Sequence, residues 1–175
     1  MLDGSSEIGP VAIVRASAAA VVPDLLGALR AGRKYLMAPW ELSAAIQSVS
    51  RVDEVARNRV FCVDRENFAA DTAPNGAAEV EPNSAVATVE GAVAARCSLL
   101  WQSPHFAELS VFTEPPFRRR GLARAVLSAM ISELLHKKIT PLYIADRSNR
   151  VSIRLAESLG FARCAGDEFS CYLVD

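Results

Sequence analysis

The sequence predicts an α+β fold, a mixed and mainly antiparallel sheet flanked by helices. Three observations point there. Between residues 85 and 113, short β-branched and apolar runs follow one another with turn signals between them. An amphipathic helix and a short apolar strand come next, spaced as in a right-handed parallel crossover. Two short strands close the chain after a helix that stops at Gly160.

In chain order, residues 1–10 read as a flexible lead, and Val11–Arg15 (VAIVR) as an edge strand. Pro23–Ala31 is expected to be a helix with Pro23 in its first turn and Gly32 beyond its end. Residues 39–56 are expected to form a second helix, with Trp40, Ala44, Ile46, Val49, Val52 and Val55 as its apolar stripe. Val60–Val63 is a short buried-type strand. Residues 65–84, broken by Pro74, Gly76 and Pro82, read as a long loop. Ala85–Val89 and Ala92–Trp101 form a hairpin across Glu90-Gly91, and Ser103-Pro104-His105 turns the chain into a central strand, residues 106–113. A helix is predicted from Arg120 to Lys137, with Leu122, Val126, Met130 and Leu134 along one row. Pro141–Ala145 is a strand. Ser148 or Asn149 caps the next helix, which runs to Leu159, and Phe161–Cys164 and Phe169–Val174 are the last strands.

At 175 residues the chain is long enough for one domain with a real core. It is 51% hydrophobic and 22% charged, ordinary for a globular protein, and its formal net charge of −1 gives no global basic field for nucleic acid. Cys62, Cys97, Cys164 and Cys171 form no CxxC pair and only two histidines accompany them, so no metal site is expected. No apolar run reaches the roughly 20 residues that span a bilayer. The polar, acidic start does not read as a signal peptide, and a reducing, cytoplasmic setting is the default expectation.

The chain is organised around Glu108–Ala123, ELSVFTEPPFRRRGLA: an apolar strand, a Pro-Pro break, a basic turn and a helix start. The first N–H groups of a helix lack intrahelical partners, and its dipole favours an anion there. Gly121 lets backbone approach a phosphate, Ala123 is small, and Arg118, Arg119, Arg120 and Arg124 add local positive charge. This pattern points to phosphate or pyrophosphate binding.

RRRGLA, residues 118–123, resembles the Q/R-x-x-G-x-G/A signature of the GCN5-related N-acetyltransferases, the GNAT superfamily. The preceding ELSVFTEPPF resembles that family's central strand, and Asn149, Ser152 and the Gly160-Phe161 pair resemble its second block. The resemblance covers about residues 85–175. Residues 1–84 show only a compatible order of elements, and the whole is expected to be a single GNAT domain with its acceptor side in that N-terminal part. It implies a sheet that splays after the central strand and acetyl-CoA as cofactor. Val111, Phe112 and Thr113 would then pair with the pantetheine arm. The turn Arg118, Arg119, Arg120, Gly121, Leu122, Ala123 and Arg124 would receive the pyrophosphate, mainly on backbone N–H groups. Asn149 and Ser152 would contact the cofactor, Asn149 alternatively serving as a helix cap. The activity implied is acetyl transfer to a primary amine of a small molecule or peptide, by direct attack in a ternary complex, in a monomer or homodimer without membrane association. Aminoacyl-tRNA is a substrate class of the superfamily, but the near-neutral charge argues against a nucleic-acid partner.

Acetyl transfer from a thioester needs a neutral amine, a polarised carbonyl and a proton for the leaving thiolate. Glu108 is the candidate base, directly or through water, with a solvated or ion-paired strand-end carboxylate as the alternative. Family members often carry a tyrosine seven residues after the motif asparagine, where this chain has Ala156. Tyr143, otherwise a packed aromatic, and Ser152, otherwise a helix residue, are the candidates to replace it. The missing tyrosine also leaves open a module that binds acyl-CoA without catalysis.

Overall fold

The structure, a computed structural model, describes residues 11–16, 18–29, 32–70 and 78–174. The expected lead at 1–10, the end of the first expected helix and the middle of the 65–84 loop lie outside the described residues. In chain order the elements are β1 (Val11–Ile13), α1 (Val22–Gly27), β2 (Lys34–Pro39), α2 (Ser43–Val49), β3 (Val52–Cys62), β4 (Glu79–Glu81) and β5 (Ser84–Val89). They continue with β6 (Ala92–Gln102), β7 (Phe106–Thr113), α3 (Leu122–His136), β8 (Thr140–Asp146), α4 (Arg150–Ser158), β9 (Ala162–Arg163) and β10 (Glu168–Leu173). The chain parts into two compact units, one made of residues up to Arg59 and from Ala165 on, the other of Val60–Cys164.

The second unit contains the antiparallel meander β5-β6-β7 and the parallel crossover β7-α3-β8, as the patterning predicts, with β4 added beside β5. The β5–β6 hairpin turns through Glu90 and Gly91 at φ 53° and 80°, the two left-handed positions that a tight hairpin turn requires. Helix α3 places Leu122, Val126, Leu127, Met130, Ile131 and Leu134 in the core, against Ala95, Cys97 and Leu109 of the sheet and Phe161 beyond α4. Truncating one such fully buried side chain, for instance Leu127→Ala, costs on the order of 2–5 kcal/mol. The helix begins at Leu122 rather than Arg120, because Gly121 before it adopts φ 82°.

In the first unit β1 lies parallel to β2, and β10 runs antiparallel between β2 and the Val52–Asn58 part of β3. Leu36, Ala38, Phe169 and Cys171 pack there with Val22, Leu42 and Ile46 of the helical segments. The helix expected over residues 39–56 is corrected. A 3-10 turn at Trp40–Leu42 leads into α2, which stops at Val49, and Ser50 is extended at φ −142°. Val52 and Val55, assigned to the helix stripe, belong to β3, whose backbone instead bonds to β10. The strand β2 is unforeseen in the sequence. A further correction is smaller: the 65–84 segment contains β4, which pairs with β5. The two final strands both pair with β3.

Candidate active site

The second unit contains a fork. Strands β7 and β8 pair in parallel from Phe106 opposite Thr140 to Leu109 opposite Tyr143, and the pairing stops there. Beyond it, Ser110, Val111, Phe112 and Thr113 keep, among the described residues, only β6 as a strand neighbour, opposite Ser98, Cys97, Arg96 and Ala95. A strand with one open side offers N–H and C=O groups to an extended ligand chain. The buried hydroxyl of Thr113, at the end of this stretch, has no hydrogen-bond partner among the described residues. These features fit the amide-bearing arm expected beside Val111, Phe112 and Thr113.

Past Thr113 the chain makes a 3-10 turn at Pro115–Phe117 and enters the basic loop. Arg118 Nε donates to the Thr113 carbonyl at 3.0 Å, and its guanidinium lies 5.9 Å from the Phe112 ring centre, so this side chain anchors the loop to the strand end. Arg119 (φ 63°) and Gly121 (φ 82°) are both left-handed, and left-handed residues in a turn are what lets successive backbone N–H groups converge on an anion. Arg119 and Arg120 are exposed. Among the described residues no side chain caps α3, and the first bond closing its opening turn is Ala125 N–H to Gly121 C=O at 3.1 Å. The space where a side chain at Gly121 would stand is open to at least 4 Å. Leu122 is buried and Ala123 half-buried, so they contribute backbone rather than side chain. Arg124 is committed elsewhere: its guanidinium donates to Ser158 C=O (2.8 Å), Ser158 Oγ (2.7 Å) and Ala69 C=O (3.3 Å), tying α3 to the end of α4.

On the other prong, Asn149 is the N-cap of α4, its Oδ1 accepting from Ser152 N–H at 3.1 Å. The Asn149 N–H donates to Asp146 C=O at 2.9 Å, which holds the cap at the end of β8. Ser152 shares a hydrogen bond with Tyr143 at the vertex of the fork. Tyr143 is buried, tilted against Phe161 with ring centres 5.9 Å apart. Burial pushes its phenol above the ordinary tyrosine value, with the Ser152 bond opposing, so it stays protonated at neutral pH. Ala156 is fully buried on the inward side of α4, and no acid reaches the fork from that position.

Glu108 sits one residue before the vertex, buried, with its carboxylate accepting from Trp101 Nε1–H at 2.5 Å. Alternation along β7 places Ala107, Leu109 and Val111 on the α3 side and Glu108 on the opposite face. Tyr143 shares the α3 face with its partner Leu109. The two candidates therefore flank the vertex from opposite faces of the sheet. Trp101 escaped the sequence reading, although a signal existed. The 103–105 turn folds β6 onto β7 so that Trp101 stands opposite Glu108, and a bulge between Leu99 and Trp101 shifts the register just before it.

A family model described as GNAT acetyltransferase matches residues 85–172. No curated protein matches the sequence. Among solved structures, the chain is similar to a GNAT-family protein from Novosphingobium aromaticivorans, with 24% identity, TM-score 0.71, and coverage of 96% of this chain and 85% of the other. It is also similar to a GCN5-related N-acetyltransferase-like protein from Streptococcus suis (19% identity, TM-score 0.61, 86% and 74% covered). A third is a GCN5-related N-acetyltransferase from Kribbella flavida (15% identity, TM-score 0.61, 90% and 76% covered). At these identities the likenesses bear on the fold, which is the α+β arrangement that the resemblance implied. Among the described residues no helix is long and apolar enough to cross a membrane.

Proposed function

Because this chain belongs to the GNAT acetyltransferase family, we propose that it moves acetyl from acetyl-CoA to a primary amine of a small molecule or peptide, by direct attack in a ternary complex. The observation that carries this is the fork at Leu109 and Tyr143 with an uncapped helix start at the end of the loop that leaves it. Acetyl-CoA supplies the activated thioester carbonyl. Val111, Phe112 and Thr113 hold the pantetheine arm along the open side of β7. The backbone from Arg119 to Ala123 holds the pyrophosphate, where the left-handed turns and the helix dipole favour negative charge. Arg120 adds screening charge, and Arg118 and Arg124 keep the loop and the helix in place.

Glu108 takes the proton from the acceptor ammonium, directly or through water, so that a neutral amine attacks. The Trp101 N–H keeps that carboxylate oriented. On the opposite face, the Tyr143–Ser152 pair holds a proton available for the departing sulfur, a role supported by its position at the vertex. Asn149 supports the pair by fixing the first turn of α4. All four cysteines are free thiols, in keeping with a reducing compartment.

The test is turnover of acetyl-CoA with a panel of primary amines, amino acids and lysine-bearing peptides, following coenzyme A release by chromatography. Glu108→Gln should bind acetyl-CoA as the native chain does and lose turnover by about 100-fold or more. Undiminished turnover in that variant would remove Glu108 from the mechanism.

A further inference from the structure

Cys62 ends β3 and Cys164 follows β9, and the two strands run antiparallel with Cys62 opposite Ala162. The cysteines are therefore diagonal neighbours across one strand pair. The Cys164 N–H donates to Val60 C=O at 3.2 Å, and its Sγ stands 4.0 Å from the same oxygen. Its thiol is in hydrogen-bond contact with that of Cys62. Cys164 is exposed and Cys62 half-buried, whereas Cys97 and Cys171 are fully enclosed.

We propose that Cys62 and Cys164 are a redox modification site, closing to a disulfide in the presence of a small-molecule disulfide such as oxidised glutathione. One protein thiolate attacks the glutathione disulfide, forming a mixed disulfide and releasing the first glutathione thiol. The neighbouring cysteine then attacks the protein sulfur of that bond and releases the second. Two protein thiols give up two protons and two electrons, and one glutathione disulfide becomes two thiols. Diagonal positions stand about 7–8 Å apart between Cα atoms, so closure has to draw the backbone after the two-residue β9 inward by about 1 Å.

The consequence follows from where the two residues lie in the chain. The second unit spans Val60–Cys164, so a Cys62–Cys164 bond ties together its two ends. Nearly the whole unit, fork and basic loop included, then lies inside the closed loop, and a long closed loop restricts the unfolded chain most. Although the residue as a whole is exposed, partial desolvation of the Cys164 sulfur, and then the Cys62 thiol beside it, push that thiol up to about 12, so thiolate is scarce at neutral pH. The dithiol is the resting form, and closure accelerates as the pH rises.

The experiment is to incubate the chain with oxidised glutathione, map its peptides under non-reducing conditions and record a thermal melt before and after. The expected result is a single cross-linked pair joining Cys62 and Cys164, with a melting temperature higher by about 5–10 °C. A reductant should reverse both, and neither should appear in Cys62→Ser or Cys164→Ser. A stable glutathione adduct on Cys164 without cross-linking would overturn the proposal, as would a cross-link that leaves the melt unchanged. The native chain's own map and melt decide the matter if either serine variant fails to fold.

Discussion

Two helices start beside the fork, and they finish their first turns in opposite ways. At α4 the start is closed: Asn149 bonds Ser152 N–H through its side chain and Asp146 C=O through its backbone. At α3 the preceding residue is Gly121, which has no side chain to bond and stands at φ 82° with open space beside it. Both starts carry the positive end of a helix dipole. Only one spends that field on its own side chain. A protein that needs stability alone caps both ends, as an N-cap is worth about 1 kcal/mol. The uncapped start makes sense where an outside anion completes it, and the left-handed Arg119 and Gly121 shape the backbone for one.

The largest expected effect is at the open start. Gly121→Glu should abolish acetyl-CoA binding in a calorimetric titration, because it sets a carboxylate where the pyrophosphate lies. Gly121→Ala shares the backbone cost of a left-handed residue, roughly 1–2 kcal/mol of stability, without the charge. It should bind measurably, which separates strain from electrostatics. Equal loss of binding in both variants would mean that loop geometry, not the field, governs the site.

Next comes the strut between the two helices. Arg124→Ala removes three hydrogen bonds, to Ser158 and Ala69, and should cost about 1–3 kcal/mol in denaturant unfolding. At the closed start, Asn149→Ala should cost about 1 kcal/mol, while Asn149→Ser retains most of it. Should Asn149→Ala instead weaken acetyl-CoA binding more than it weakens folding, the contrast between the two starts would be blunted, since both would then serve the ligand.

The smallest effect concerns pH. Burial raises Tyr143, so on alkalinisation the unfolded chain releases this proton first. Its contribution to stability is complete below the ordinary tyrosine value of about 10 and is lost as the pH rises through the higher folded value. Tyr143→Phe should therefore flatten the fall in stability above about pH 10. An unchanged alkaline slope would place the phenol in contact with solvent.

What could be read from the sequence divides along the same chain. From Ala85 on, each element announces itself locally: Glu90-Gly91 for the hairpin, Pro115-Pro116 and Gly121 for the loop, Asn149 and Gly160 for the ends of α4. The basic loop was legible for that reason. Strand β3 was not. Its sequence VDEVARNRV carries polar side chains, two of which, Arg57 and Asn58, have hydrogen-bond partners more than a hundred residues away. Arg57 meets Asp167 at 2.5 Å and stacks 4.4 Å from Trp40, and Asn58 bonds Ser170 at 2.8 Å. Without those partners, valines at 49, 52 and 55 mimic a helix stripe. Trp101 was missed because a residue opposite a candidate base is visible only once the hairpin register is known. That Arg124 bonds to the end of α4 depends on Ser158, which only the packing brings near.

The central claim is that the open start of α3, and not the capped start of α4, receives the phosphates. Amide hydrogen exchange read residue by residue, with and without acetyl-CoA, tests it directly. Protection should appear at Arg119–Ala123 and along Val111–Thr113, with the amides of Arg150–Ser152 unchanged. Protection confined to the first turn of α4, with residues 119–123 exchanging as before, would contradict the account.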